Sequence, residues 1–479
     1  MKHFLVLLAL TMLSGVAAIA VPFWGVMLYY GFATLRPQHL WEWSLLNAPH
    51  IRWSLTAICI AFVATIINLP TLLQTFRPNR VLILLGVYAV LMLMSMLTAF
   101  SPDISWYWAQ EYAKVFVMFL IATLVIQRFW QVRAMAVMIA LCLGYLAYNV
   151  NFMYFFEGGR LDIFHHGYGG LDNNGAGSLL ALGLPFAYFL ATSPVGRWST
   201  GRRIFGALLA MGIIHAVMMT YSRGAMLAAA VGLVWLMVHH RPRVQGVAMS
   251  VVLVAAISVM AGAEIRDRAV STADFETDAS ALSRFDSWAA AWDIVTEHPL
   301  LGKGIRNSND YSQNYGADLA GRTIHNQYLQ IAADSGIPAA CVYIAMVGFA
   351  FFGLMWARRR CIRAEDVALH KPPDPEAPHD QQDLIDRARD AGALCLAVQA
   401  GVAMFAFSGL FLSVELVEVP WLLLALAGIL PAAVDRRLRG LGLTDESDAD
   451  NDDGDDVFTP TPPTIVKPAR HAIPERRAA

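Results

Sequence analysis

Charge is scarce in this chain. Asp, Glu, Lys and Arg make up 15% of its 479 residues, while 57% are hydrophobic and the mean hydropathy is +0.49. Strict polar/apolar alternation is lacking too. Apolar runs near 20 residues recur instead, long enough for a helix to cross a hydrocarbon core of roughly 30 Å. A β-barrel, which needs alternating segments of about ten residues, is thereby excluded. Cysteine is thinly spread: Cys59, Cys142, Cys341 and Cys395 lie in apolar runs and Cys361 among arginines. No two share metal-ligand spacing, which argues against a zinc site or disulfide framework. Internal repeats are absent, and a net charge of −2 gives no reason to expect a nucleic-acid partner. What remains is an all-α polytopic membrane protein.

The apolar runs fall near residues 4–34, 54–70, 81–99, 111–127, 134–156, 175–192, 204–219, 224–238, 246–262, 338–357, 392–412 and 419–434, about 12 transmembrane helices. The first is too long for one perpendicular span at about 1.5 Å per residue, and Pro22 either kinks it or splits it into a hairpin. Its start also resembles a signal peptide, with a cleavage site near Ala20. Arginines mark one set of alternate loops, from Arg77 and Arg80, through Arg128 and Arg133, to Arg358–Arg360 and Arg436–Arg439. By the positive-inside rule these are cytoplasmic. An uncleaved, single or bent first span, with both chain ends cytoplasmic, fits that pattern best. The expected layout is a transmembrane bundle over 1–262 and a periplasmic loop over 263–337. C-terminal spans follow over 338–439, with a cytoplasmic loop at 358–391. The acidic, Pro-rich stretch 440–479 cannot bury enough apolar surface to fold and is read as a disordered tail.

Room for aqueous chemistry is therefore confined to the far side. Arg223, in Thr220-Tyr221-Ser222-Arg223-Gly224, stands where spans avoid arginine, and a guanidinium there invites an anion such as a diphosphate. The competing reading is a side chain snorkelling to headgroups. Leu282, Phe285, Trp288, Ala289, Trp292 and Val295 follow helical spacing and predict an amphipathic helix over about 280–297, its aromatic face on the bundle or at the lipid interface. Arg284 on that helix is equally readable as a surface residue or half of an ion pair. Leu301-Gly302-Lys303-Gly304-Ile305-Arg306 forms a basic turn, a weak phosphate signal alone. His325 precedes a predicted helix over 326–334, closed by Ser335-Gly336-Ile337-Pro338. An imidazole titrates near neutrality and can accept a proton from a hydroxyl, although a lone histidine is more often a structural hydrogen-bonder.

Ser222-Arg223-Gly224, the helix around Arg284, Glu297-His298-Pro299-Leu300-Leu301-Gly302, and above all His325-Asn326-Gln327-Tyr328-Leu329 with Asp334-Ser335-Gly336 resemble the shared core of bacterial O-antigen ligases and polymerases. Pro22-Phe23-Trp24-Gly25, Tyr29-Tyr30 and Arg36-Pro37-Gln38 look closest to the exosortase-associated ligase-like branch. The resemblance implies a multi-pass protein of the bacterial inner membrane that transfers a glycan from undecaprenyl diphosphate to an acceptor hydroxyl on the periplasmic side. That acceptor is a glycan, lipid or protein, and the transfer is inverting. His325 would be the base. Arg223, Arg284, Arg306 and Lys114 would hold the diphosphate, and Asp172, Asn174, Asn326 and Tyr328 would contact substrate. Lys114 is equally readable as an ion-pair partner of Glu111, and Asp172 as a helix cap. No metal or other cofactor is implied, because arginines take the cation's place. The chain has no extended soluble domain after the bundle, which weakens the case for a protein acceptor, and the basic turn suits a diphosphate or an acidic acceptor. A polymerase of the same superfamily is the first alternative. A transporter or flippase for a lipid-linked anion is another, but it calls for ionisable residues at mid-span, and polar groups here gather at the outer ends of the spans.

Overall fold

The computed structural model describes residues 2–46, 49–156, 163, 167–195, 199–241, 279–315, 323–370, 378–413 and 416–443. The apolar run near 246–262 and the acidic tail from 444 onward lie outside the described residues, as do residues 263–278 and 316–322 of the expected periplasmic loop. Apart from a bridge between Tyr168 and Leu171, the regular structure among the described residues is helical. A bilayer core offers no water to hydrogen-bond, so each crossing segment must satisfy its own backbone.

The longer helices are α1 (Lys2–Ala20), α2 (Phe23–Leu35), α3 (Trp53–Thr75), α4 (Arg80–Ser95), α5 (Pro102–Val125), α6 (Phe129–Phe156), α7 (Asn173–Ala181), α8 (Leu184–Thr192), α9 (Ser199–Met219), α10 (Arg223–His239), α11 (Ala279–Glu297), α12 (Gln327–His370), α13 (Pro378–Ser408) and α14 (Glu418–Gly440). Among the described residues, ten helical stretches are long and apolar enough to cross a membrane, α7 and α8 together making one of them. The helices α2 and α10 are apolar but shorter.

The first apolar run is a hairpin rather than the single bent span expected. Phe4 of α1 and Phe32 of α2 both pack against Trp53, with ring centroids at 5.8 and 6.0 Å. The far end of α1 instead meets the middle of α3, where Asn68 donates to the Ile19 carbonyl at 3.0 Å. Proline starts the return at position 22, where it caps α2. Small residues let α2 close on α3: a Cβ added to Gly25 would stand 3.0 Å from the Ala61 Cα, the close approach that membrane helices use in place of a hydrophobic driving force. His3 stacks on Trp41 at 4.9 Å and hydrogen-bonds Ser44 at 2.9 Å. The beginning of α1 therefore lies at the end of the bundle that carries Arg36, not at the arginine-rich end.

At that arginine-rich end, carboxylates meet arginines of neighbouring helices. Asp390 of α13 is fully buried and faces Arg133 at 3.6 Å and Arg437 at 3.8 Å. Arg360 pairs with Asp435 at 3.0 Å. Midway along the bundle Trp421 is buried against Phe116 at 5.1 Å and Tyr343 at 6.3 Å, joining α14 to α5 and α12. The expected cytoplasmic loop at 358–391 is largely two helical extensions, since α12 runs to His370 and α13 begins at Pro378.

The amphipathic helix forms where predicted, ending at Glu297. Ser287, Ala290, Ala291, Ile294 and Val295 are its buried face, whereas Leu282, Phe285 and Trp292 are exposed. The expected aromatic face is therefore split: Trp288 is half-buried and packs against the core, while Phe285 and Trp292 turn outward, suited to a lipid interface.

The hairpin makes a testable statement about sidedness. In a background with its five cysteines replaced by alanine, Lys2→Cys and Asn314→Cys are expected to react with the same membrane-impermeant thiol reagent from the outside of intact cells, and Arg439→Cys to react only after permeabilisation. Protection of Lys2→Cys alone would restore the single bent span.

Candidate active site

His325 has φ of +55°, a left-handed conformation that costs a non-glycine residue of order 1–3 kcal/mol and persists only where the surroundings fix it. Those surroundings are visible on both sides. Before it, the backbone N–H of buried Ile324 donates to Gln330 Oε1 at 3.2 Å. After it, Asn326 Oδ1 accepts from the N–H groups of Tyr328 and Leu329, each at 3.1 Å, and so caps α12. The Gln327 N–H donates to the Gly409 carbonyl at 2.8 Å, and the Tyr328 hydroxyl to the Ala406 carbonyl at 2.7 Å. His325 is thus held, half-buried, at a helix N-terminus. The helix behind it breaks at Gly336, with φ 87° and ψ 166°, so the motif sits on a short helix set off from the span.

The basic turn is bonded to that short helix. Lys303 N–H donates to the Ala333 carbonyl at 3.0 Å and Gly304 N–H to the Asp334 carbonyl at 2.9 Å. The Asp334 carboxylate accepts from the Ser308 N–H at 3.0 Å on one oxygen and from Gln330 Nε2 at 2.9 Å on the other. Close approach requires the glycines: φ is 63° at Gly302, and an added Cβ there would stand 2.5 Å from the Ala333 carbonyl oxygen. On its other side the turn is tied to the α4–α5 connection, through Phe100 N–H to the Lys303 carbonyl at 2.8 Å and Asn307 Nδ2 to Ser105 Oγ at 2.7 Å. Its cations lie on aromatic rings, Lys303 over Tyr311 at 4.4 Å and Arg306 over Trp108 at 5.0 Å. Tyr315 donates to Glu297 at 2.5 Å. Burial and that hydrogen bond push its phenol well above the usual range, so it stays a donor and pins the end of α11.

A second cluster surrounds Arg223. Asp172 caps α7 by accepting the Gly175 N–H at 2.8 Å, and its other oxygen takes Asn174 Nδ2 at 3.0 Å. Asn174 Oδ1 accepts from Ser222 Oγ at 2.8 Å, while Ser222 itself caps α10 through the Ala225 N–H at 3.3 Å. Arg223 is the first residue of α10, so its guanidinium adds to the partial positive charge of a helix N-terminus. Both clusters flank the turn that ends α13. Gln327 bonds Gly409 on one side, and on the other a Cβ added to Gly224 would stand 3.6 Å from Phe411 Cβ.

The expected residues are therefore not spread evenly. Asp172, Asn174 and Arg223 form one group. His325, Asn326, Tyr328 and, through Asp334, Arg306 form another. Arg284 is half-buried on α11, next to Phe285, whose ring meets Trp288 edge-on at 5.5 Å. Lys114 pairs with Glu111 at 2.6 Å and is half-exposed, the local ion pair that its spacing allows.

Sequence reasoning missed a third element, the pair Arg36–Glu418 at 3.4 Å. Arg36 also donates to the Gly169 carbonyl, and Tyr168 to the Leu35 carbonyl, so the end of α2, the loop before α7 and the start of α14 are locked together beside the site. The available signal was two opposite charges, each at an outer helix end.

Two substitutions test this framework. Gly302→Ala meets a strained φ and a 2.5 Å contact, and Asp334→Ala leaves buried donors unmade. Each is expected to cost about 1–3 kcal/mol, read as a fall in the thermal midpoint of the detergent-solubilised protein. Gly440→Ala, where nothing lies within 4 Å of the added Cβ, should leave it unchanged.

Residues 206–344 match the family model described as O-Antigen ligase. The matched stretch takes in Arg223, α11, the basic turn and His325 together with its short helix. No curated protein sequence matches the chain. The chain is thus a multi-pass membrane protein in which a stretch similar to the O-antigen ligases is set among apolar helices able to cross a membrane.

Proposed function

We propose that this protein transfers a glycan from undecaprenyl diphosphate to an acceptor hydroxyl at the periplasmic face of a bacterial inner membrane. The observation that supports the reading is that the helix N-termini bearing His325 and Arg223 both flank the α13 turn, through Gln327 and Gly224. One supplies a proton acceptor and the other a seat for an anion.

In this reaction the acceptor oxygen attacks the anomeric carbon of the donor sugar, and His325 takes the hydroxyl proton. The carbon–oxygen bond to the diphosphate breaks, its electron pair leaving on the diphosphate, with inversion at that carbon. Arg223, with Arg284 and Arg306, stabilises the charge that builds on the leaving group. Asp172 and Asn174 serve sugar hydroxyls from the rim of the Arg223 cluster. Asn326 and Tyr328 act chiefly by orienting His325, since the Asn326 carbonyl caps the helix and the Tyr328 hydroxyl bonds Ala406. Lys114 joins the site only by exchanging Glu111 for a phosphate.

Ligase and polymerase differ in the acceptor alone. In proteoliposomes with an undecaprenyl-diphosphate-linked glycan and several acceptors, wild type should release undecaprenyl diphosphate only when an acceptor is present. His325→Ala should lower that rate by roughly 10²-fold or more, and Arg223→Ala by about 10²-fold. A single product favours a ligase and a ladder a polymerase. Donor that crosses the bilayer without turnover would replace the transferase with a transporter.

A further inference from the structure

A cavity of about 890 Å³ opens at the opposite end of the bundle from His325, among the ends of α8, α9, α10, α12 and α13. The helix α10 has Arg223 at its first residue and His239, a wall of this cavity, at its last. Its 17 residues separate the two by about 25 Å at 1.5 Å per residue. The cavity is thus distinct from the transfer site and lies at the arginine-rich end of the spans.

Its charge is one-sided. Arg203, Arg241, Arg358 and Arg389 line it against a single carboxylate, Glu365, so four positive charges less one negative leave an excess of three. Glu365 is taken by Arg389 at 2.7 Å, and Arg358 donates to the His239 carbonyl. Arg203 and Arg241 are exposed and have no ion-pair partner among the described residues. The remaining wall is largely apolar, with Ala191, Ala207, Ala393 and Leu396. Beside the mouth, α9 exposes Ile204, Phe205 and Leu208, and α10 exposes Val234 and Val238. Exposed apolar residues on helices of this kind face acyl chains. A soluble anion would use the guanidinium groups and ignore these surfaces, whereas an amphiphile uses both.

We propose that this cavity seats the phosphate headgroup of an anionic glycerophospholipid from the leaflet at the arginine-rich end, its acyl chains running along α9 and α10. Guanidinium groups match phosphate oxygens in pairs, and basic pockets between spans on the cytoplasmic side suit acidic headgroups.

The test uses the full-length protein in neutral detergent, with binding read by native mass spectrometry. Phosphatidylglycerol should be retained about 10-fold better than phosphatidylcholine, and inorganic pyrophosphate should not compete with it. The variant Arg203→Gln/Arg241→Gln, which alters two exposed side chains, should lose roughly 5- to 10-fold in phosphatidylglycerol binding. Ala207→Trp, which fills the cavity without changing charge, should lose it as well. Undiminished binding by either variant would overturn the site. Pyrophosphate bound as well as the lipid would make it a soluble-anion site, and a polyprenyl diphosphate preferred over phosphatidylglycerol would make it a place for the donor. Either result would overturn the phospholipid assignment.

Discussion

The Asp334 carboxylate holds the candidate active site together. One oxygen takes the Ser308 N–H and the other the Gln330 amide, while Gln330 Oε1 receives the N–H of Ile324, the residue before His325. A buried carboxylate is costly to desolvate, and these bonds offset that cost only if the basic turn and the histidine helix stay in one relative position. The strained φ at His325 and the positive φ at Gly302, Gly304 and Gly336 are consequences of that requirement. Two segments about 20 residues apart in the chain are thereby made one rigid body, and the geometry of the candidate site depends on it.

The bilayer decides where such an arrangement can stand. Since the spans must be apolar and internally bonded, polar side chains collect at helix ends, and both ends of this bundle tie them down with ion pairs and aromatic rings. At the arginine-rich end Arg133 and Arg437 share Asp390, Arg360 has Asp435, Arg389 has Glu365, and Arg437 also lies over Phe129 at 4.0 Å. At the other end Arg36 pairs with Glu418 and Lys114 with Glu111, while Lys303 lies over Tyr311, Arg306 over Trp108, and Arg223 starts α10.

What was legible in the sequence follows from the same constraint. Helix positions were readable from apolar length, α11 from its periodicity, and the short helix after His325 from the Gly336-Ile337-Pro338 break. The Lys114–Glu111 pair was readable because its partners are three residues apart. Hidden features have partners distant in the chain or a pattern without contrast. Arg36 and Glu418 are separated by 382 residues, and Asn307 and Ser105 by 202. The run 4–34 is apolar throughout, so hydropathy could not tell a bent span from a hairpin. The orientation of α11, with Phe285 and Trp292 outward, was open for a related reason: its other side is lined by Ala290, Ala291, Ile294 and Val295, leaving both faces apolar enough to bury.

The way a cation is held bears on what it can bind. Displacing the carboxylate from a guanidinium costs what the pair had gained, so Arg133 and Arg437, which share Asp390, serve the fold. An aromatic ring fixes a cation without cancelling its charge. Lys303 over Tyr311 and Arg306 over Trp108 are placed in this way on the turn bonded to the histidine helix, so their positions are set before an anion arrives. That suits the role proposed for the site, the stabilisation of charge that appears only as a leaving group departs. The excess positive charge of the cavity at the other end includes Arg203 and Arg241, which are exposed, an arrangement better suited to holding a headgroup than to assisting bond cleavage.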